Sequence, residues 1–268
     1  YKAKDFLIRL GNKINKLLPL DFTKALLSYP TYNFNELTSS PQILEHYPDY
    51  EQTTYIQFSS GTTNKPKGVM VKYKNLTENI RAIHEKFRSH DKSIGYIWIP
   101  PFHDMGLVGG ILYPLIHGFH TYLSSPLNFI KDPASWINHI SQFKVTITGG
   151  PNFSYALLTN LPDNKLESNL DLSTVEVLFC GSEQIIPEDI SSFYTKYSEH
   201  GLRKNTFLPC YGLAESTLMV TADCATIQEH TYEFCKQSFL KNKLTPCSKG
   251  EPSQTLCSCG DGYSDQDI

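Results

Sequence analysis

From Thr53 onward the chain repeats one pattern. A short apolar, β-branched run is followed by a segment whose apolar residues recur every three to four positions. "TTYIQF" (53–58) is the first run, β-rich and ending in a loop of small hydroxylated residues. In "NLTENIRAIHEKF" (75–87), Leu76, Ile80, Ile83 and Phe87 share one helical face. "SIGYIWIP" (93–100) predicts a strand stopped by Pro100 and Pro101. "GLVGGILYPLIHG" predicts an apolar helix with a glycine-rich start that ends near Gly118, and "HTYLSS" a short strand. "DPASWINHISQF" opens with Asp132–Pro133, an N-cap residue followed by proline in the first turn. "KVTITGG" and "TVEVLFCG" are β-branched strands ending in glycine, "IPEDISSFYTKY" is a helix with Pro187 near its start, and "NTFLPCYG" is a further strand candidate. Residues 1–50 predict a helical start, then a stretch rich in Pro, Tyr and Asn.

Strands alternating with helices predict an α/β fold with a largely parallel sheet. Such sheets bind ligands beyond the C-terminal ends of their strands. Glycine-bearing segments follow Phe58, Ile99, Thr148, Phe179 and Cys210, all at such ends. One glycine there does no more than end a strand; the set on a shared edge predicts a site.

Composition narrows the partners. The 268 residues are 40% hydrophobic with a net charge of -3, which suits a large core and gives no basic footprint for nucleic acid. No run approaches the roughly 20 apolar residues of a membrane helix, and no signal peptide is visible. Seven cysteines make an odd set for a disulfide framework. Cys180 and Cys210 sit among apolar neighbours and read as buried thiols. Cys224, Cys235, Cys247, Cys257 and Cys259 lack the C-x2-4-C spacing of zinc sites. Reduced thiols in a cytoplasmic protein are the simpler reading.

"SSGTTNKPKG" (59–68) carries the chemistry. Ser59, Ser60, Thr62 and Thr63 offer hydroxyl donors, Gly61 allows close backbone approach to an anion, and Lys65 and Lys67 add positive charge. It is not the G-x-x-x-x-G-K-[ST] loop, because Pro66 interrupts it and Lys67 precedes Gly68. A solvated polar turn is the plain alternative; the donor set favours polyphosphate.

"YIQFSSGTTNKPKG" resembles the phosphate loop of the adenylate-forming enzymes, the superfamily of acyl-CoA synthetases, luciferases and peptide-synthetase adenylation domains, with Asn64 at a usual glycine. "PCYGLAEST" (209–217) resembles their Y-G-x-T-E motif, with Ala214 in place of Thr. The resemblance implies that Tyr211 stacks on adenine, beside Gly212, and that Glu215 holds Mg2+ on ATP. "FCGSEQI" resembles the segment along adenine and ribose, with Gly181, Ser182 and Glu183 at the base. "PPFHDMGL" resembles the motif that sets a histidine, here His103, beside the reacting carboxylate; Asp104 would fix its ring. A histidine merely capping a loop is the plain alternative.

Together, "PPFHDMGLVGGILYPL", "TITGGPNFSYAL" and "YGLAEST" resemble the fatty acyl-AMP ligases, which use ATP and Mg2+ to activate fatty acids for acyl carrier proteins or fused polyketide and peptide synthetases. Gly149, Gly150 and Phe153 are the expected acyl-side residues. The resemblance spans about 53–268. It divides the chain into a truncated N-terminal segment (1–50), an AMP-binding core (51–222), a branch-specific insertion (223–256) that hinders CoA use, and the start of a following strand (257–268). No Y-x-T-G-D motif and no lysine-bearing C-terminal domain are found, so a weakly active or inactive excerpt of the large N-terminal domain is expected. An acyl-CoA synthetase and a silent nucleotide-binding module are the competing readings.

Overall fold

The structure, a computed structural model, describes residues 49–59, 66–224, 226–248 and 250–263. The helical reading near the start and the loop residues Ser60–Lys65 lie outside them.

Strands β1 (Thr53–Ser59) and β2 (Lys67–Lys72) form an antiparallel hairpin, closed by the pair Ser59 and Lys67. The hairpin corrects two expectations: β1 is not in the main sheet, and "KGVMVK" is a strand. Its Lys-Gly opening hides it behind the loop, and only Val69 and Val71 alternate inward. Helix α1 (Tyr73–Phe87) follows, with Leu76, Ile80 and Ile83 buried as the periodicity predicts. Asn79 is buried on the same helix.

The main sheet has six strands in the order β4–β3–β5–β6–β7–β8. These are β3 (Ile94–Ile97), β4 (His120–Leu123), β5 (Ile147–Gly150), β6 (Val177–Cys180), β7 (Phe207–Gly212) and β8 (Met219–Ala222). All pairings are parallel except that of β7 with β8. The α/β reading with a parallel-rich sheet therefore holds. The inner strands β5 and β6 are buried along their whole length. Helices α2 (Tyr113–His117), α3 (Pro126–Lys131), α4 (Ala134–Gln142), α5 (Asn152–Thr159) and α6 (Pro187–Tyr197) make the crossovers. Two buried polar groups tie these crossovers to the sheet. Trp136 Nε1 donates to Thr148 Oγ1 at 2.9 Å, and the Tyr155 hydroxyl donates to the Phe179 carbonyl at 2.7 Å.

Several elements depart from expectation. Strand β3 stops at Ile97, before Pro100 and Pro101, which lack the N–H a ladder needs. The glycine-rich helix begins as a π-helix, Met105–Leu112, and becomes α2 only at Tyr113. At α4 Pro133 takes the cap position, and Asp132 contributes its backbone carbonyl, which accepts from Ser135 N and Oγ at 3.1 and 2.7 Å. Within residues 223–256 lie β9 (Thr231–Cys235) and a short helix α7 (Lys236–Phe239). Strand β10 (Ser253–Cys257) pairs antiparallel with β9. Beyond it Gly262 makes a single bridge to Thr221 of β8. Among the described residues, no helix is long and apolar enough to cross a membrane.

Candidate active site

The end of β1, the loop after β3, the π-helix and the ends of β6 and β7 open onto one cavity of about 460 Å3. That is the size of many small-molecule sites, roughly 300–1,000 Å3. Its mouth carries polar groups from element ends, Ser59 of β1, His103, Ser182 after β6, Tyr211 of β7 and Glu215 in the turn Ala214–Ser216, with Gly212 and the exposed rings of Phe58 and Phe102 beside them. Its inner wall is apolar. Ile83 and Phe87 come from α1, Met105 and Gly109 from the π-helix, Phe179 from β6, and Leu218 and Met219 from the approach to β8. Phe87 stacks on Phe179 with ring centroids 5.7 Å apart.

Two contacts fix the loop carrying His103. Buried Gln57 of β1 donates from Nε2 to the Phe102 carbonyl at 3.1 Å. His103 Nδ1 lies 2.8 Å from Asp104 Oδ1, and the same oxygen accepts from Met105 N at 2.7 Å. The Asp104 carboxylate raises the His103 pKa above 6.5, against partial burial that lowers it. With Nδ1 committed to Asp104, Nε2 is the ring nitrogen left to meet a ligand.

Between β7 and β8 the chain reverses in a tight turn. Leu213 N donates to Leu218 O at 2.9 Å, and Leu218 N donates to Ser216 O at 2.9 Å across Thr217. Thr217, with φ 72° and ψ −57°, is the centre of a γ-turn of the strained hand. A side chain at Gly212 would place Cβ 1.9 Å from the Leu218 carbonyl oxygen, so only glycine fits. Ser182 has φ 70°. Left-handed backbone at non-glycine residues costs on the order of 1–3 kcal/mol and gathers at functional sites.

The cavity brings together Ser59, His103, Ser182, Tyr211, Gly212 and Glu215 of the sequence-predicted residues. Ser60, Gly61, Thr62 and Thr63 lie outside the described residues. Lys67 is exposed on β2 opposite Ser59 and is not itself in the lining. Gly181 is buried behind the site, where a Cβ would meet Cys210 O and Sγ at 2.8 Å. Glu183 accepts the Phe153 backbone N–H at 2.7 Å, so its carboxylate meets the first turn of α5.

Gly149, Gly150 and Phe153 are not in this lining. The space beside the glycines is already filled: a Cβ on Gly149 would lie 2.1 Å from the Phe179 carbonyl oxygen, and one on Gly150 2.6 Å from the Trp98 ring. Phe153 instead packs edge-on to Trp98. Sequence reading missed Gln57 and the second use of the α1 stripe, whose Ile83 and Phe87 wall the cavity. Cys210 also lines it, and burial pushes its thiol up to about 12, leaving a neutral group.

The Ser59 hydroxyl is buried without a hydrogen-bond partner, and Glu215 is exposed with no polar partner, both among the described residues. No cluster of three or more His, Cys, Asp or Glu able to hold a metal occurs among the described residues. A metal at Glu215 would thus draw most of its ligands from water and a bound anion, the habit of Mg2+ at phosphates.

The chain is 34% identical over 218 residues to a medium-chain-fatty-acid–[acyl-carrier-protein] ligase, TtuA, of Teredinibacter turnerae; the match covers 81% of this chain and 34% of that protein. It is also 34% identical to the ligase of the same description, JamA, of Moorena producens, over 80% of this chain and 37% of that one. A crystal structure of the fatty acyl-adenylate ligase of L. pneumophila, in complex with acyl adenylate and pyrophosphate, superposes with a TM-score of 0.76 at 37% identity. It covers 81% of this chain and 38% of that one. The chain therefore spans little more than a third of the proteins it matches. The family of AMP-binding enzymes matches residues 13–239, most of the chain and every described residue of the cavity, and the chain belongs to that family.

Proposed function

We propose that this chain is the nucleotide- and acyl-facing core of a ligase that activates a fatty acid as acyl-AMP and passes the acyl group to an acyl carrier protein. The carrying observation is the cavity itself, whose polar mouth and apolar wall are continuous. A phosphate-bearing head and an alkyl chain need that pairing in one site. The relatives named above support the substrate class and the carrier, and a fused polyketide or peptide synthetase is the further acceptor the resemblance implies.

A carboxylate is a poor acyl donor because oxide does not leave. In the proposed reaction its oxygen attacks the α-phosphorus of ATP, the bond to the bridging oxygen breaks, and pyrophosphate departs. The carrier thiol then attacks the acyl carbon, losing its proton to solvent or base as AMP leaves. Both reactants of the first step are anions, so the site must offset charge. The Ser59–Lys67 hairpin loop, with Ser60, Gly61, Thr62 and Thr63, is assigned to pyrophosphate. The exposed ring of Tyr211 is assigned to adenine, with Gly181, Ser182, Glu183 and Gly212 shaping that side. His103, donating from Nε2, is assigned to the fatty carboxylate. Glu215 would hold Mg2+, which when bound neutralises phosphate charge and aligns it for in-line displacement. Ile83, Phe87, Phe179 and Leu218 would receive the alkyl chain, with Gly149, Gly150 and Phe153 behind that wall.

The test uses the complete reading frame in which this chain lies, with α-labelled ATP, Mg2+ and dodecanoic acid, with and without CoA. Labelled acyl-AMP that persists with CoA and is consumed by a carrier protein is the expected result. Conversion to acyl-CoA moves the protein to the CoA synthetases and removes the blocking role from residues 223–256. Absence of either product across a series of fatty acids favours a silent nucleotide-binding module.

A further inference from the structure

We infer that Asn79 is a positioning residue for the turn that carries Glu215. It is 2% exposed on α1, within a helical face otherwise made of Leu76, Ile80, Ala82 and Ile83. Burying an amide there costs free energy unless its groups are bonded. All of its bonds with the turn are to backbone 137 to 140 residues away: Nδ2 donates to Met219 O at 2.7 Å and Ser216 O at 3.2 Å, and Oδ1 accepts from Met219 N at 3.0 Å. The amide thus grips both sides of Thr217, the residue held at φ 72°.

A strained γ-turn relaxes unless its surroundings over-determine it. Gly212 and the Leu218 carbonyl close one end, and Asn79 holds the other against a helix anchored in the core. Ser216, whose carbonyl Asn79 binds, directly follows Glu215. Releasing the amide frees the turn to exchange its γ-conformation for a relaxed one, and the Glu215 carboxylate then leaves its place at the cavity mouth. The role of that carboxylate toward Mg2+ rests on the proposed function; the grip on the turn does not.

The experiment compares wild type with Asn79→Leu, which keeps the side-chain volume in the core, in the complete reading frame. Amide hydrogen exchange reads the turn, and ATP affinity is measured with and without Mg2+. Expected are faster exchange across Leu213–Met219 and loss of roughly tenfold of the Mg2+-dependent gain in affinity. Affinity without Mg2+ should change less than about twofold. Adding Glu215→Gln to Asn79→Leu should cost nothing further in the Mg2+-dependent part, because both act through one group. Thr217→Gly, which removes the strain, should restore much of what Asn79→Leu loses.

Equal weakening with and without Mg2+, or unchanged exchange in the turn, would overturn the inference and leave Asn79 an ordinary core residue. If wild type binds no ATP, the ligase reading falls while the exchange data still decide the role of Asn79. Should Asn79→Leu fail to fold, the wild-type Met219 amide decides: protection matching the α1 core amides supports the grip, and exchange at the rate of an open loop sinks it.

Discussion

The inner wall of the cavity is made of side chains that the core already holds, whereas each group at the mouth hangs from the end of an element. Phe179 is 5% exposed and Ile83 1%, while Tyr211 is 52% exposed. The wall rests on α1, β6 and β8, and the mouth carries Thr217 and Ser182 in left-handed conformations. The difference separates two kinds of cost. A change in the wall is felt first as stability, and a change at the mouth first as turnover.

Phe179→Ala makes the largest break in that comparison. It removes a ring stacked on Phe87 and packed beside Gly149, and should destabilise the fold by about 3–5 kcal/mol in denaturant unfolding. Glu215→Gln is the counterpart at the mouth. Acyl-AMP formation should fall by roughly 10²–10³ with the unfolding midpoint unchanged; a comparable loss of stability would erase the distinction. Gly109→Val sharpens it, because Gly109 lies on the wall with a Cβ position 3.3 Å from Leu218. It should lower kcat/KM for dodecanoic acid about tenfold more than for octanoic acid.

Asp104→Asn has the smallest expected effect. The pair raises the His103 pKa above 6.5, so its contribution to stability is complete below that value and is lost as pH rises through the folded pKa. With the His103 side chain 48% exposed, that contribution stays under about 1 kcal/mol. NMR titration should find the His103 pKa above 6.5 in wild type and below it in Asp104→Asn, where only burial acts.

The same contrast explains what the sequence disclosed. Mouth residues announce themselves by type, because a hydroxyl, imidazole or carboxylate beside glycine at a strand end has little to do with packing. Ser59 was legible that way, and so was the alternation of strands and helices; His103, Tyr211 and Glu215 entered through the motifs that resemble the adenylate-forming enzymes. Wall residues do not, since Ile83 and Phe87 satisfy the helical stripe whether they face a core or a ligand. Gly149 and Gly150 lie outside the lining because the room a glycine leaves is taken by Phe179 and Trp98. Asn79 was invisible because its partners in the turn are backbone atoms, which carry no residue identity.

The grip of Asn79 on residues 137 to 140 positions later also has a consequence in time. At ordinary translation speeds of about 5–20 residues per second, Asn79 is made roughly 7–28 s before the turn it holds. The nascent chain can form α1 early, yet its buried-to-be amide waits for a backbone not yet synthesised. Assembly of the cavity mouth is therefore a late event in folding, dependent on a long-range closure. A ribosome-bound intermediate arrested before Ser216 would display helix α1 with an unfilled polar notch.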